Sequence, residues 1–299
     1  MKFKIRNILV LLATLSLIIA ACNETTTPSV VKPDAPTSLM ATSIDSATVR
    51  LKWTLSTSES TTGFTGYTLY IGPGPFQPIS IQKGTNTYDV KGLNEGTIYS
   101  FTLYANIDTV QSANAASIQW SPASRFVTNV NDATIKLYET ASNFGSGLEL
   151  YDESGGAPKT LTVASGSNWN LALDTRTDGK TIVASPTLIN YNYGSQPPIT
   201  QISSDYFDNL TSLDDVFDSQ ALDAGNFDVR AITLEDLGIT ANTGVVFILR
   251  TKVGSNSDYT YAKVLIKNVN GSWLQGTSPD RYIECVVSYQ KTPGVPYAY

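Results

Sequence analysis

The chain has 299 residues, of which 41% are hydrophobic and only 15% charged, with 26 acidic residues against 20 basic ones. That composition belongs to a folded chain rather than a disordered one, and the length suggests about two domains. There is no His, which excludes a Ser-His-Asp triad, a Cys-His dyad, His-ligated zinc and any imidazole general base.

The chain opens MKFKIRNILVLLATLSLIIAAC. Lys2, Lys4 and Arg6 form a basic start, and the apolar run from Ile8 to Ala21 is too short for a typical membrane span but right for the core of a signal peptide. Its end, Ile19-Ala20-Ala21-Cys22, resembles the bacterial lipobox. The resemblance implies cleavage after residue 21 and lipid attachment at Cys22, hence a membrane partner reached through acyl chains at the cell envelope, outside the cytoplasm. Losing Lys2, Lys4 and Arg6 with the leader leaves 17 basic residues against 26 acidic ones, a net charge of −9. Such a charge argues against nucleic acid as a partner. Residues 22–33 carry two Pro and no apolar period, which reads as a tether. With Cys22 acylated, Cys285 has no partner for a disulfide within the chain and is expected as a small buried side chain.

Residues 34–130 alternate with period two. Val49, Leu51 and Trp53 point one way, as do Tyr67, Leu69 and Ile71, and Tyr99, Phe101, Leu103 and Ala105. Short antiparallel strands at this spacing mean a β-sandwich. Pro36, Leu39, Trp53, Gly66-Tyr67, Leu93 through Phe101 and Ala105-Asn106 resemble a fibronectin type III domain. The resemblance implies that Trp53 fills the core and that Tyr99 closes a tyrosine corner with its hydroxyl on nearby main chain. It also implies a spacer or presentation role. Gly72-Pro73-Gly74-Pro75-Phe76 reads as a rigid hairpin loop that exposes an aromatic ring.

Residues 131–299 stay strand-like. The apolar run Val245–Leu249 suggests a central strand covered on both faces, and GVVFILRTKVG with YTYAKVLIKNVNG reads as a hairpin. Glu235-Asp236-Leu237-Gly238 reads as a helical turn ended by a Gly cap. In SSDYFDNLTSLDDVFDSQAL the apolar positions Tyr206, Phe207, Leu210, Leu213, Val216 and Phe217 recur at three and four, the spacing of a short amphipathic helix, or of a helical turn and a loop, inserted among strands. The stretch before it is a long loop holding Tyr191 and Tyr193, and loops of that length are often functional. The fold class expected is therefore all-β: a fibronectin type III sandwich, then a larger, mainly antiparallel domain with one short helical insertion.

Ser167 through Asp174, Leu249-Arg250-Thr251, Tyr261-Ala262-Lys263-Val264 and the strand Tyr282–Gln290 resemble segments of HmuY-like surface lipoproteins. That resemblance covers about 145–290 and implies a domain that captures haem between two His, or in some members Met. Here no His exists, and the only Met residues are Met1 and Met40, so no axial ligand carries over and no cofactor is expected on the residues themselves. Tyr can ligate ferric haem, and Tyr191, Tyr193 and Tyr206 lie where the family's ligands fall. These three are the candidate ligand-binding residues, set against the plainer reading of core or hairpin tyrosines. The acids Asp205, Asp208, Asp214, Asp215 and Asp218 read as a solvated face, since no complete calcium loop is present. No catalytic or metal site is marked. The leading expectation is a non-catalytic envelope lipoprotein that binds a small molecule. The alternative is a structural or adhesive surface protein contacting proteins or glycans.

Overall fold

The computed structural model describes residues 31–128, 131–132, 134–150, 158–218, 226–252 and 258–297. The expected signal segment 1–21 and Cys22 lie outside these, as does the tether except for its last three residues. The architecture is all-β in two bodies, and no described helix is long and apolar enough to cross a membrane.

The first body comprises β1 (Thr37–Asp45), β2 (Thr48–Thr54), β3 (Phe64–Gly72), β4 (Ile79–Gln82), β5 (Thr87–Val90), β6 (Tyr99–Ile107), β7 (Val110–Gln111) and β8 (Ala116–Trp120). One antiparallel sheet has the order β1-β2-β5; in the other, β4-β3-β6, both β7 and β8 pair with β6. The period-two residues named above turn inward: Val49, Leu51, Trp53, Tyr67, Leu69, Phe101, Leu103 and Ala105 are all buried between the sheets. The tyrosine corner forms as expected, with the Asn94 amide donating to the Tyr99 hydroxyl at 3.0 Å. The Gly72–Phe76 segment joins β3 to β4 as a hairpin loop, but Phe76 is not an exposed ring. It is half-buried edge-on against Tyr99, with ring centroids 5.8 Å apart.

The second body begins with β9 (Ser124–Arg125) and the small hairpin of β10 (Val127–Thr128) and β11 (Asn131–Asp132). It continues through β12 (Ile135–Tyr138), β13 (Gly147–Glu149), β14 (Lys159–Leu161), β15 (Leu171–Asp174) and β16 (Ile182–Ala184). It finishes with β17 (Thr200–Leu210), β18 (Phe227–Asp228), β19 (Ala231–Thr233), β20 (Gly244–Lys252), β21 (Tyr259–Lys267) and β22 (Tyr282–Gln290). The larger sheet runs β12-β22-β21-β20-β17-β18, with β9 also on β22. The smaller runs β14-β13-β15-β16-β19. Because β9 pairs with Ser288 and Tyr289, the larger sheet recruits chain from within the 34–130 segment.

The expected hairpin is β20 and β21, in continuous register from Gly244↔Lys267 to Lys252↔Tyr259. β20 is central and buried on both faces. Val245, Phe247 and Leu249 face the smaller sheet, while Val246 and Ile248 enter the core that contains the first body. That double burial is why the run is uninterruptedly apolar.

Among the described residues the insertion is not an amphipathic helix but holds a helical turn. Residues 200–210 form β17, which pairs with β20, and Leu213–Asp215 makes a single 3-10 turn. The register with β20 shifts between Ile202 and Tyr206 and again between Phe207 and Leu210, and Asn209 takes a left-handed φ of 54°. The first shift inserts two extra residues into the strand and the second inserts one. Two such slips turn a period of two into apparent steps of three and four.

The two bodies share one hydrophobic core. Leu213, Val216, Phe227, Val246, Ile248, Leu265, Val286, Val295 and Tyr297 of the second pack in the same cluster as the sandwich interior of the first. Polar side chains also pair across the junction. Lys263, 0% exposed, donates from Nζ to Thr42 Oγ1 at 3.0 Å and to the Leu213 carbonyl at 3.2 Å. Arg125 pairs with Asp214, which also lies 3.6 Å from Arg50, itself held in two hydrogen bonds by Asp89. The last described residues return to the first body, where Tyr297 stacks on Trp120 at 5.1 Å between centroids.

Candidate functional site

Tyr191 and Tyr193 come together, but around a neighbour rather than around a pocket. Trp169, 1% exposed, is the hub, with each tyrosine ring centroid 5.2 Å from it and the two tyrosines 5.7 Å apart. Gly147 makes room for this: a Cβ there would lie 2.0 Å from the indole. The Tyr191 hydroxyl donates to the Leu173 carbonyl at 2.8 Å and lies 3.2 Å from Thr140 Oγ1; the Tyr193 hydroxyl reaches the Pro186 carbonyl at 3.4 Å. Arg176 covers Tyr191, 4.7 Å from the ring, and is itself held by Asp174. Burial is the main cause that raises both phenol pKa values.

Tyr206 stands apart. It lies on the exposed part of β17, 41% exposed, with its ring against Phe247. The three candidates therefore do not share one site. Ferric haem ligation by Tyr needs a phenolate with a free oxygen. Tyr191 and Tyr193 have engaged hydroxyls, packed rings and raised pKa values, so these residues do not fit haem.

The motifs singled out in the second body have structural duties. Arg250 stacks between Phe227 and Tyr259, at 4.6 and 4.4 Å, and bonds Gln201 at 2.6 Å. Lys263 anchors the first body, as described above. Cys285 is fully buried, and burial pushes its thiol up to about 12. Asp214 belongs to the ionic junction, whereas Asp205 and Asp208 are exposed on β17. Among the described residues no three Asp, Glu or Cys side chains converge as metal ligands.

A different concavity lies where loops of the second body meet. A polar cleft of about 410 Å³ is bounded by the Thr175–Thr181 loop between β15 and β16, by Glu235 on the 3-10 turn Leu234–Leu237, by the 271–274 segment and by Arg281. That 3-10 turn ends as expected at Gly238, in the left-handed region at φ 66°. Glu235 Oε2 accepts from the Thr181 amide at 2.9 Å, which ties the turn to the loop. Lys180 pairs with Asp236 at 3.1 Å, and Arg281 with Glu139 at 2.7 Å. The Arg281 guanidinium holds the Glu139 carboxyl below its usual value. Trp273, which also lines the cleft, is buried. Sequence reasoning passed over this cleft because its residues are scattered from 175 to 281 and none forms a motif.

From fold and site together, this is a β-protein whose recognisable module is one that generally binds or spaces and is non-catalytic. Residues 34–119 match the fibronectin type III domain family. Solved structures similar to the chain include one described as a myokine structure, at 16% identity over 30% of this chain and 99% of that one, with a TM-score of 0.26. The FN5 domain of Drosophila Lar is 20% identical over 30% of this chain and 97% of its own, with a TM-score of 0.23. A two-domain fibronectin type III segment from chicken tenascin is 12% identical over 76% of this chain and 97% of its own, with a TM-score of 0.26. No curated protein matches the chain.

Proposed function

We propose that the protein is a non-catalytic envelope lipoprotein, attached to a membrane through Cys22, that works as a structural or adhesive surface protein through contact with a protein or glycan. The leader and its lipobox-like end support the attachment and the extracytoplasmic location. The fibronectin type III match supports the contact role. The observation that carries the choice between contact and small-molecule capture is the closed Trp169–Tyr191–Tyr193 cluster, whose rings pack on one another and whose hydroxyls bond main chain. The HmuY-like resemblance of 145–290 then speaks for kinship of fold, with the haem function not carried over.

The test is a ferric haem titration of the full chain in detergent, run beside adhesion of the chain, displayed on vesicles, to immobilised glycans and surface proteins. Saturable adhesion with an unmoved Soret band is expected. A tight Soret shift that Tyr191→Phe or Tyr193→Phe weakens would overturn the reading in favour of haem capture.

A further inference from the structure

We propose that the open outer face of the first sandwich is where two copies of the chain pack against each other. The inference rests on the contact role proposed above and names the partner as a second copy. The sandwich has two outer faces. That of the β1-β2-β5 sheet is covered by the second body: Thr42 on β1 accepts from Lys263, Arg50 on β2 lies 3.6 Å from Asp214, and Lys52 lies over the Phe217 ring. The outer face of the β4-β3-β6 sheet, with β8 alongside β6, is on the opposite side of the sandwich and stays open, with Tyr70, Ser100, Ser117 and Gln119 exposed.

The composition of this open face sets it apart. None of the outward residues of β3, β4, β6 and β8 is Asp, Glu, Lys or Arg. Tyr70 and Tyr104 stand on its two central strands, edge to face with ring centroids 5.8 Å apart. An ordinary solvated face mixes charges of both signs, and the covered face does so with Arg50, Lys52 and Asp89. Depletion of charge together with Tyr is the composition of a protein contact. The polar groups pair within the face: Asn106 donates to Thr68 at 2.8 Å, Gln111 to the Tyr70 hydroxyl at 3.2 Å and Ser117 to Thr102 at 3.3 Å. A partner can therefore cover them without leaving them unpaired.

Charge selects the occupant. The chain carries a net −6, so two copies meeting through acidic surfaces repel, whereas this face lets them approach without that cost. The same neutral face on both copies is self-complementary, as a two-fold contact requires. With nine residues in β6 and four strands abreast, the face measures roughly 30 by 19 Å, so a pair covers on the order of 1,100 Å² in all, the low end of specific interfaces. A contact of that size is weak alone, and anchoring both copies in one membrane through Cys22, as proposed above, raises their effective concentration.

The experiment is sedimentation equilibrium of the full chain in excess density-matched detergent, with adhesion to immobilised glycans and surface proteins measured in parallel. A monomer–dimer equilibrium is expected. Thr102→Lys with Gln119→Lys, which puts two cations on the face and keeps both tyrosines, should weaken dimerisation about tenfold or more, and so should Thr102→Glu with Gln119→Glu. Mixed in equal amounts, the Lys and Glu chains should dimerise again, a recovery that needs the face to meet its own copy. Tyr70→Ser, a milder change at an exposed position, should weaken dimerisation as well. A chain that is monomeric at every concentration, dimers indifferent to these variants, or a Lys and Glu mixture that stays monomeric would overturn the self-contact. Adhesion to other surfaces that persists in that case would leave the contact role standing, and its absence would overturn both.

Discussion

Replacing Leu213 by Ala tests whether the two bodies are one cooperative unit. Leu213 belongs to the second body by sequence, is fully buried, and packs in the cluster that holds the sandwich interior of the first. The substitution leaves in place the backbone carbonyl that accepts from Lys263, so the loss is one of packing. Truncating a fully buried Leu removes its transfer energy and leaves a cavity, together about 2–5 kcal/mol. For a unit of this size each kcal/mol lowers the melting temperature by about 2–4 °C, so a loss of about 3 kcal/mol gives a fall of roughly 6–12 °C. Scanning calorimetry is the assay, and the expected record is a single endotherm, moved down as a whole. Two endotherms, only one of which moves, would refute the shared core, as would a shift below about 1 °C.

Gly147→Ala should drive a methyl into the Trp169 indole, at 2.0 Å from the nearest ring atom, and cost about 3 kcal/mol, the upper end of overpacking. Combined with Trp169→Ala, which removes the obstacle, the two losses should fall short of their sum in urea unfolding; full additivity would show that the contact does not exist. Glu139 and Asp174 are both held below their ordinary values of 4.5 and 3.8 by Arg281 and Arg176. Their contribution is fully present above those ordinary values and disappears as pH falls through the lower folded ones. Glu139→Gln should therefore separate from the native chain in urea midpoint at pH 7 and draw close to it in strong acid; an equal gap at both would contradict the ion pair. Cys285, buried with its thiol raised to about 12, should react with a maleimide in a Cys22→Ser background only once urea unfolds the chain. Labelling at native conditions would show that the strand opens.

The first sandwich was legible because period-two alternation, Trp53 and the Leu93–Tyr99 corner are local signals that survive without knowledge of the rest. The central strand was legible for the same reason: Val245–Leu249 has no polar side to hide. The β17 segment was misread because two bulges mimic helical spacing, and bulges depend on the partner strand rather than on the strand itself. Phe76 was misplaced because its cover, Tyr99, lies on another strand. Of the candidate site, Tyr191 and Tyr193 were singled out as ligand-binding candidates on one loop. Their engagement with Trp169 depends on Gly147, on the neighbouring strand β13, a contact that no short window reveals. The junction residues Lys263, Arg125 and Asp214 carried no signal either, because an ion pair 89 residues apart in sequence is a fact of topology.

The return of Tyr297 to Trp120 bears on the order in which the polypeptide can mature. A nascent strand emerging amino end first carries its opening sandwich with one flank bare until Leu213, Val246, Leu265 and finally Val295 and Tyr297 arrive to cover it. That flank of the opening sandwich is therefore covered only once residues of the closing third have been made, even where the sandwich itself folds first.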